Sequence, residues 1–222
     1  MERFKVQNAV IVMDLDDTLY KEDDYAVSGL LAVCRLISKL YGKDITEALF
    51  ARKASGEADL LAASCSLVGL PPAVKETLLW QYRLHEPAIQ IDASTRRILN
   101  DLECRGSTLV ILTDGRAITQ RLKLRALGLS NYPAYISEEC GSVKPGLARF
   151  ARIMDDYRGD LYIYIGDNPK KDFIGPNSLG WKTFGIRGDM RNVHLQDWKA
   201  LPAGHLPHIW LDSLSDLLKY TC

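Results

Sequence analysis

The chain has 222 residues, 47% of them hydrophobic and 25% charged, with 28 Lys and Arg against 28 Asp and Glu and a formal net charge of zero. That length supports a substantial core, as one large domain or as one domain carrying an inserted module. The balanced charge, without a basic block, lacks the signature of nucleic-acid or anionic-membrane binding, and charged residues interrupt every long apolar run, which excludes a bilayer-spanning helix.

The opening residues Met1 to Asn8 lead straight into a strand pattern without the features of a signal peptide. The cysteines Cys34, Cys65, Cys104, Cys140 and Cys222 are odd in number, scattered, and without C-x-x-C spacing. Reduced thiols in a cytoplasmic protein fit that pattern better than disulfides or zinc.

Ala9–Met13 is short and continuously apolar, which predicts a buried strand. It delivers Asp14 and Asp16, followed by Asp17-Thr18. Side chains alternate along a strand, so strand geometry persisting to Asp16 brings both carboxylates out together at its tip. Two carboxylates side by side cannot both ionise cheaply and call for a cation or a shared proton, which suggests a metal ligand and nucleophile beside a general acid or base. The competing reading is ordinary turn chemistry through Asp17-Thr18.

From about Tyr20 to Gln90 the pattern is helical, over Gly29–Tyr41, Ile45–Lys53, Glu57–Leu67 and Ala73–Tyr82, punctuated by Gly42, Gly56 and Gly69-Leu70-Pro71-Pro72. This predicts an inserted helical module at residues 20–90, with its two ends close together. The alternative is that these helices pack on the sheet.

Beyond it, strand and helix alternate. Asp92–Arg105 predicts a helix capped by Asp92 and stopped by Gly106, and Thr108–Leu112 a second buried strand. Ile118–Leu127 predicts a basic amphipathic helix ending at Gly128, Ala134–Ile136 a weaker strand, and Leu147–Tyr157 a helix. Leu161–Ile165 is a third strong strand, Asp172–Leu179 a short helix containing Pro176, and Lys182–Gly185 a further strand. Ile209–Leu211 and Leu214–Tyr220 close the chain as strand and helix. The alternation implies an α/β fold with an open, mostly parallel sheet and helices on both faces, formed by residues 1–19 and 91–222.

Polar residues follow each predicted strand: Thr113-Asp114-Gly115, then Ser142-Val143-Lys144-Pro145, then Gly166-Asp167-Asn168-Pro169-Lys170-Lys171-Asp172. Open parallel sheets bind ligands beyond the carboxyl ends of their strands, so these groups and Asp14 and Asp16 could converge on one edge. Each fragment alone has a bland reading as a cap or solvated loop residue; their joint occurrence in this order does not.

The chain resembles the haloacid dehalogenase-like hydrolase superfamily. Asp14-Leu15-Asp16-Asp17-Thr18 matches its first motif, D-x-D-x-T; Thr113 matches the second, Lys144 the third, and Gly166-Asp167 with Asp172 the fourth. The resemblance covers essentially the whole chain, and the insert resembles the helical C1-type cap. It implies a Rossmann-like three-layer core. It also implies a Mg²⁺-dependent phosphomonoester hydrolase acting through an aspartyl-phosphate on a small phosphorylated metabolite, such as a sugar phosphate or nucleotide.

On that resemblance Asp14 is the nucleophile, Asp16 the general acid and later base, Thr113 a hydrogen-bond donor to the phosphoryl group, and Lys144 the cation offsetting Asp14 and phosphate. Asp14, Asp167 and the main-chain carbonyl of Asp16 are the metal ligands, and Asp172 supports Lys144 or a metal-bound water. The general-acid role calls for an Asp16 pKa raised by its acidic neighbours. Asp16 also favours phosphoryl over carbon–halogen chemistry, since a departing halide needs no proton. Phosphomutase chemistry on the same site, and a non-catalytic phosphate-binding scaffold, are the alternatives; a scaffold would be expected to lose Asp14, Lys144 or Asp167.

Asp114 departs from the Asn common after the second-motif threonine. An anion there must turn away or meet a cation, which Arg116 could supply; Arg116 could equally contact substrate or decorate a helix start. Gly115 and Asn168 complete the candidate phosphate or substrate contacts, Asn168 through a metal-bound water. Lys170 and Lys171 read as solvated. Acidic Glu22, Asp23 and Asp24 near the entrance would disfavour additional phosphates and suit hydroxyl-rich sugars. His85, His194, His205 and His208 lack metal-type spacing. Apolar faces on the inserted helices could seal a site or hold a second subunit, leaving monomer and homodimer open.

Overall fold

The structure, a computed structural model, describes residues 3–193, 196, 198 and 201–222. These fall into two compact units, Met1–Asp23 with Gln90–Cys222, and Asp24–Ile89.

The first unit is built on a six-stranded sheet: β1 Ala9–Met13, β2 Thr108–Thr113, β3 Ala134–Ile136, β4 Leu161–Gly166, β5 Lys182–Ile186 and β6 Ile209–Leu211. The order is β3-β2-β1-β4-β5-β6 and every pairing is parallel, so the sheet is wholly rather than mostly parallel. β1 is buried along its full length, as a central parallel strand covered on both faces must be. Val10, Val12, Val110, Leu112 and Tyr164 alternate onto one face and pack with Phe150, Ile153, Phe173 and Trp181.

Strand order reverses direction beside β1: β2 and β3 extend to one side, β4 to β6 to the other. In doubly wound sheets this switch point opens a crevice at the carboxyl ends of the strands. Met13 pairs with both Ile111 and Ile165, so the residues just beyond β1, β2 and β4 emerge side by side. Asp14 still donates its amide to Ile165 O at 2.9 Å, which carries the strand one residue further.

The long helix α1, Glu22–Tyr41, begins well before the Gly29 start that the apolar pattern suggests. Its first turn is acidic, suited to a helix N-terminus, but lacks the apolar periodicity that marked the later turns. The second unit continues with α2 Thr46–Ala54, α3 Leu60–Val68 and α4 Val74–Leu84, around its own core of Leu30, Val33, Ile37, Leu49 and Leu78. Gly29 is required inside α1, because a Cβ there would stand 2.6 Å from the Tyr82 ring.

In the first unit α5, Ala93–Cys104, is capped by the Asp92 carboxylate, which accepts the Ser94 and Thr95 amides. α6 spans Ala117–Ala126, α7 Ser137–Cys140, α8 Ala148–Asp156 and α9 Ile174–Ser178. The four-residue α7 is too short to leave a periodic signal. The closing Leu214–Lys219 segment is a 3₁₀ helix with a Ser213–Asp216 capping box rather than an α-helix. Among the described residues no helix is long and apolar enough to cross a membrane.

Candidate active site

The chain leaves β1 through Asp14 and reverses at Asp17, which adopts φ 55°, a left-handed conformation that aspartate tolerates better than most residues. Its two carboxylate oxygens accept the Glu22 and Val193 amides, pinning the turn. Strand geometry therefore stops short of Asp16, yet Asp14 and Asp16 still face one cavity of about 200 Å³. Asp17, Glu22, Thr113, Asp114, Asp167 and Lys171 line the rest of it.

Lys144 lies beneath, its side chain fully buried. Its Nζ is 2.9 Å from Asp14 Oδ1, 2.7 Å from Asp172 Oδ1 and donates to the Tyr164 hydroxyl at 3.1 Å. Burial opposes its charge, but Asp14 and Asp172 hold its pKa well above the ordinary lysine value. Asp172 places its other oxygen on the Asp167 and Asn168 amides, at 3.1 and 2.8 Å. Gly166 makes this possible, because a Cβ there would stand 2.6 Å from Asp172 Oδ2.

Asp14, Asp167 and Asp172 offer carboxylate oxygens all within 4.8 Å of one another. Burial raises the Asp14 pKa to about 6, with Lys144 opposing and Asp172 adding to the rise. Burial, Asp172 and Asp14 raise Asp167 to about 8. Buried carboxylates that resist ionising are a donor set matched to a hard divalent cation. Asp172 is committed to Lys144 and the loop amides and does not line the cavity, so Asp14 and Asp167 are the side chains that face such an ion.

Asp16 differs from expectation. Its carboxylate meets Lys123 Nζ at 2.7 Å, the Tyr20 hydroxyl at 2.5 Å and Gln120 Nε2 at 2.9 Å. Burial pushes its pKa up, but the Lys123 charge and these hydrogen bonds outweigh burial and lower it. The upward shift expected from acidic neighbours falls instead on Glu22, raised to about 7 by burial and by Asp16.

Thr113 ends β2 with its hydroxyl oxygen accepting from Gln120 Nε2 at 2.7 Å, which leaves the hydroxyl hydrogen to donate. Asp114 does meet a cation, but Arg149 rather than Arg116. Arg149, buried in α8, forms a close ion pair with Asp114 and donates to the Thr113 and Tyr135 carbonyls at 2.9 and 3.1 Å. Arg116 points to Glu138 at 3.6 Å and is half exposed. Asp114 also accepts the Lys144 amide, tying the second-motif loop to the third.

Gly115 exchanges hydrogen bonds with the Ser137 hydroxyl at 2.9 and 3.2 Å and does not line the cavity. Asn168 caps its own loop by accepting the Lys170 amide and likewise stays outside the cavity lining. Lys171, which reads as solvated in sequence, lines the cavity 3.9 Å from Asp114. His85 belongs to the second unit, His208 binds Thr183, and His194 lies outside the described residues.

Sequence reasoning missed Tyr20, Gln120, Lys123, Arg149 and Tyr164. The signal available for Arg149 was the unpaired charge of Asp114, whose partner proved to be 35 residues away. For Gln120 and Lys123 it was two long polar residues three apart on the face of α6 that packs inward.

No protein-family model matches the chain. Among solved structures, the magnesium-bound HAD-hydrolase YfnB from Bacillus subtilis superposes with a TM-score of 0.64, covering 96% of this chain and 98% of that one at 19% identity. The chain shares the fold of that haloacid dehalogenase-like hydrolase. Two curated relatives are phosphatases. The glyceraldehyde 3-phosphate phosphatase of Methanocaldococcus jannaschii is 27% identical over 94% of this chain and 98% of its own length. The ribulose-1,5-bisphosphate 5-phosphatase of Halopiger xanaduensis is 32% identical over 110 residues, 47% of this chain and 44% of that relative, so the match spans less than half the relative's length.

Proposed function

We propose that this protein is a Mg²⁺-dependent phosphomonoester hydrolase that forms an aspartyl-phosphate on Asp14. The observation that carries the reading is the grouping of Asp14, Asp167 and Lys144 below one polar cavity that Thr113 and Asp16 also face. Asp14 attacks phosphorus, the bond to the leaving oxygen breaks, and that oxygen takes a proton from Asp16. Water then gives a proton to Asp16 and attacks the same phosphorus, releasing phosphate and restoring the Asp14 carboxylate.

Lys144 fixes the attacking carboxylate and offsets its charge, and the Thr113 hydroxyl donates to a phosphoryl oxygen. Asp16 is held as a carboxylate before substrate arrives; negative phosphoryl charge beside it raises its proton affinity, and it takes up from solvent the proton that it then donates to the leaving oxygen. Mg²⁺, held by Asp14, Asp167 and the Asp16 main-chain carbonyl, would neutralise phosphate charge in a cavity bordered by six carboxylates. The helical unit, inserted after the first motif and carrying its own core, is the cap that selects substrate.

The favoured substrates are small sugar phosphates. Glu22 and Asp17 at the cavity disfavour polyanions, and the relative matched over nearly its whole length is named for a triose monophosphate. Phosphate release from a panel of sugar phosphates, nucleotides and an aryl phosphate, with Mg²⁺ and with EDTA, tests this. Mg²⁺-dependent turnover with sugar monophosphates ahead of nucleoside triphosphates is expected; metal-independent release, or none, contradicts it.

A further inference from the structure

Asp14 and Asp16 stand two residues apart, yet each has its own buried lysine: Lys144 for Asp14, Lys123 for Asp16. Lys123 is 3% exposed, in the body of α6. A lysine on a surface helix ordinarily carries its ammonium out to water, and burying that charge is costly unless it is paired. Gln120, 2% exposed, lies one turn earlier on the same face. A helix packed on a sheet can fill such positions with leucine or isoleucine at no desolvation cost. α6 instead buries an ammonium and a carboxamide and delivers both to one carboxylate, Lys123 to Oδ1 and Gln120 to Oδ2. The same Gln120 amide nitrogen reaches Thr113 Oγ1 at 2.7 Å, which links Asp16 to the hydroxyl facing the phosphoryl group.

We propose that Gln120 and Lys123 are positioning residues for Asp16, fixing the orientation from which its carboxyl meets the leaving-group oxygen. The assignment rests on the phosphatase reading above and adds two residues that none of the four motifs contains. Its consequence is selective. An alkoxide leaves poorly and needs the proton that Asp16 delivers, whereas a nitrophenolate leaves well without one. Loss of the clamp therefore penalises alkyl phosphates far more than activated aryl phosphates.

The test is kcat/KM for p-nitrophenyl phosphate and for glycerol 2-phosphate, measured with Mg²⁺ on the full chain carrying Lys123→Met, Gln120→Met or Lys123→Arg. kcat/KM reports events through leaving-group departure, and the ratio between two substrates is independent of the fraction of enzyme that is folded. The alkyl-to-aryl ratio is expected to fall by about tenfold or more in Lys123→Met and Gln120→Met, and to recover in part in Lys123→Arg. A ratio within fivefold of wild type in both methionine variants overturns the proposal, however large the common loss of activity. Wild-type protein that turns over neither substrate overturns the phosphatase reading and the clamp with it.

Discussion

Lys144 bridges Asp14 and Asp172: its Nζ lies 2.9 Å from the first carboxylate and 2.7 Å from the second, and its side chain is fully buried. The third motif is thus joined to the first and fourth by one ammonium. Removing it leaves two buried carboxylates without their cation. Lys144→Met is expected to lower stability by about 3–5 kcal/mol, the usual result of orphaning a buried charge, and to abolish turnover. Denaturant unfolding and phosphate release measure the two effects.

Stability should depend on pH and metal together. Asp14, Glu22 and Asp167 all have folded pKa values above their ordinary ones, at about 6, 7 and 8. The folded state then binds more protons than the unfolded chain between about pH 4 and 8, so metal-free protein loses stability as pH rises through that window. Asp16, with a lowered pKa, has the opposite sign, but its contribution changes only below the ordinary aspartate value. Thermal melts in EDTA are expected to show Tm falling from pH 5 to pH 8. Mg²⁺ should restore Tm most at pH 8, and Asp167→Asn should flatten the metal-free slope.

The Asp114–Arg149 pair should be unequal in its two halves. Arg149 satisfies the Thr113 and Tyr135 carbonyls as well as Asp114, so Arg149→Met strands three acceptors. A loss of about 3–5 kcal/mol is expected. Asp114→Asn keeps an acceptor for Arg149 and for the Lys144 amide but leaves the buried guanidinium without its anion; it should retain activity within about threefold and cost about 1.5–3 kcal/mol. Equal losses in the two variants would show that Asp114 does more than anchor the loops.

The first, second and fourth motifs were legible because each follows a strand with a clear apolar run, and a parallel sheet brings strand ends together; the third follows the weaker β3 and was legible chiefly from its order among the others. The supporting groups were not. Tyr164 reads as a core aromatic within β4, and only its pairing beside β1 carries its hydroxyl to Lys144. The lowered pKa of Asp16 depends on Lys123, more than a hundred residues away, and chain neighbours such as Asp14 and Asp17 suggested the opposite sign. The start of α1 was missed because its first turn is acidic and capped through Asp17, a contact that needs the left-handed turn.

The helical unit has a polar pin of its own. The Ala88 amide donates to Ser28 Oγ at 2.8 Å, Ser28 Oγ lies 3.0 Å from His85 Nε2, and His85 Nδ1 lies 2.6 Å from the Tyr82 carbonyl. The Nδ1–H tautomer satisfies all three contacts, with Ser28 donating to Nε2. Ser28→Ala removes the acceptor of the Ala88 amide and the hydroxyl beside the buried His85 ring nitrogen, and about 1–2 kcal/mol of destabilisation is expected. Hydrogen exchange at Ala88 should accelerate accordingly.

The carboxylate nucleophile is tested most directly by trapping it. Protein mixed with ³²P-labelled substrate and Mg²⁺, then quenched in acid, should carry label on the peptide containing Asp14. That label should be discharged by hydroxylamine and absent from Asp14→Asn, whose phosphate release should fall by at least about a thousandfold. An Asp14→Asn variant that releases phosphate at the wild-type rate, with no label on the wild-type peptide, would contradict the account.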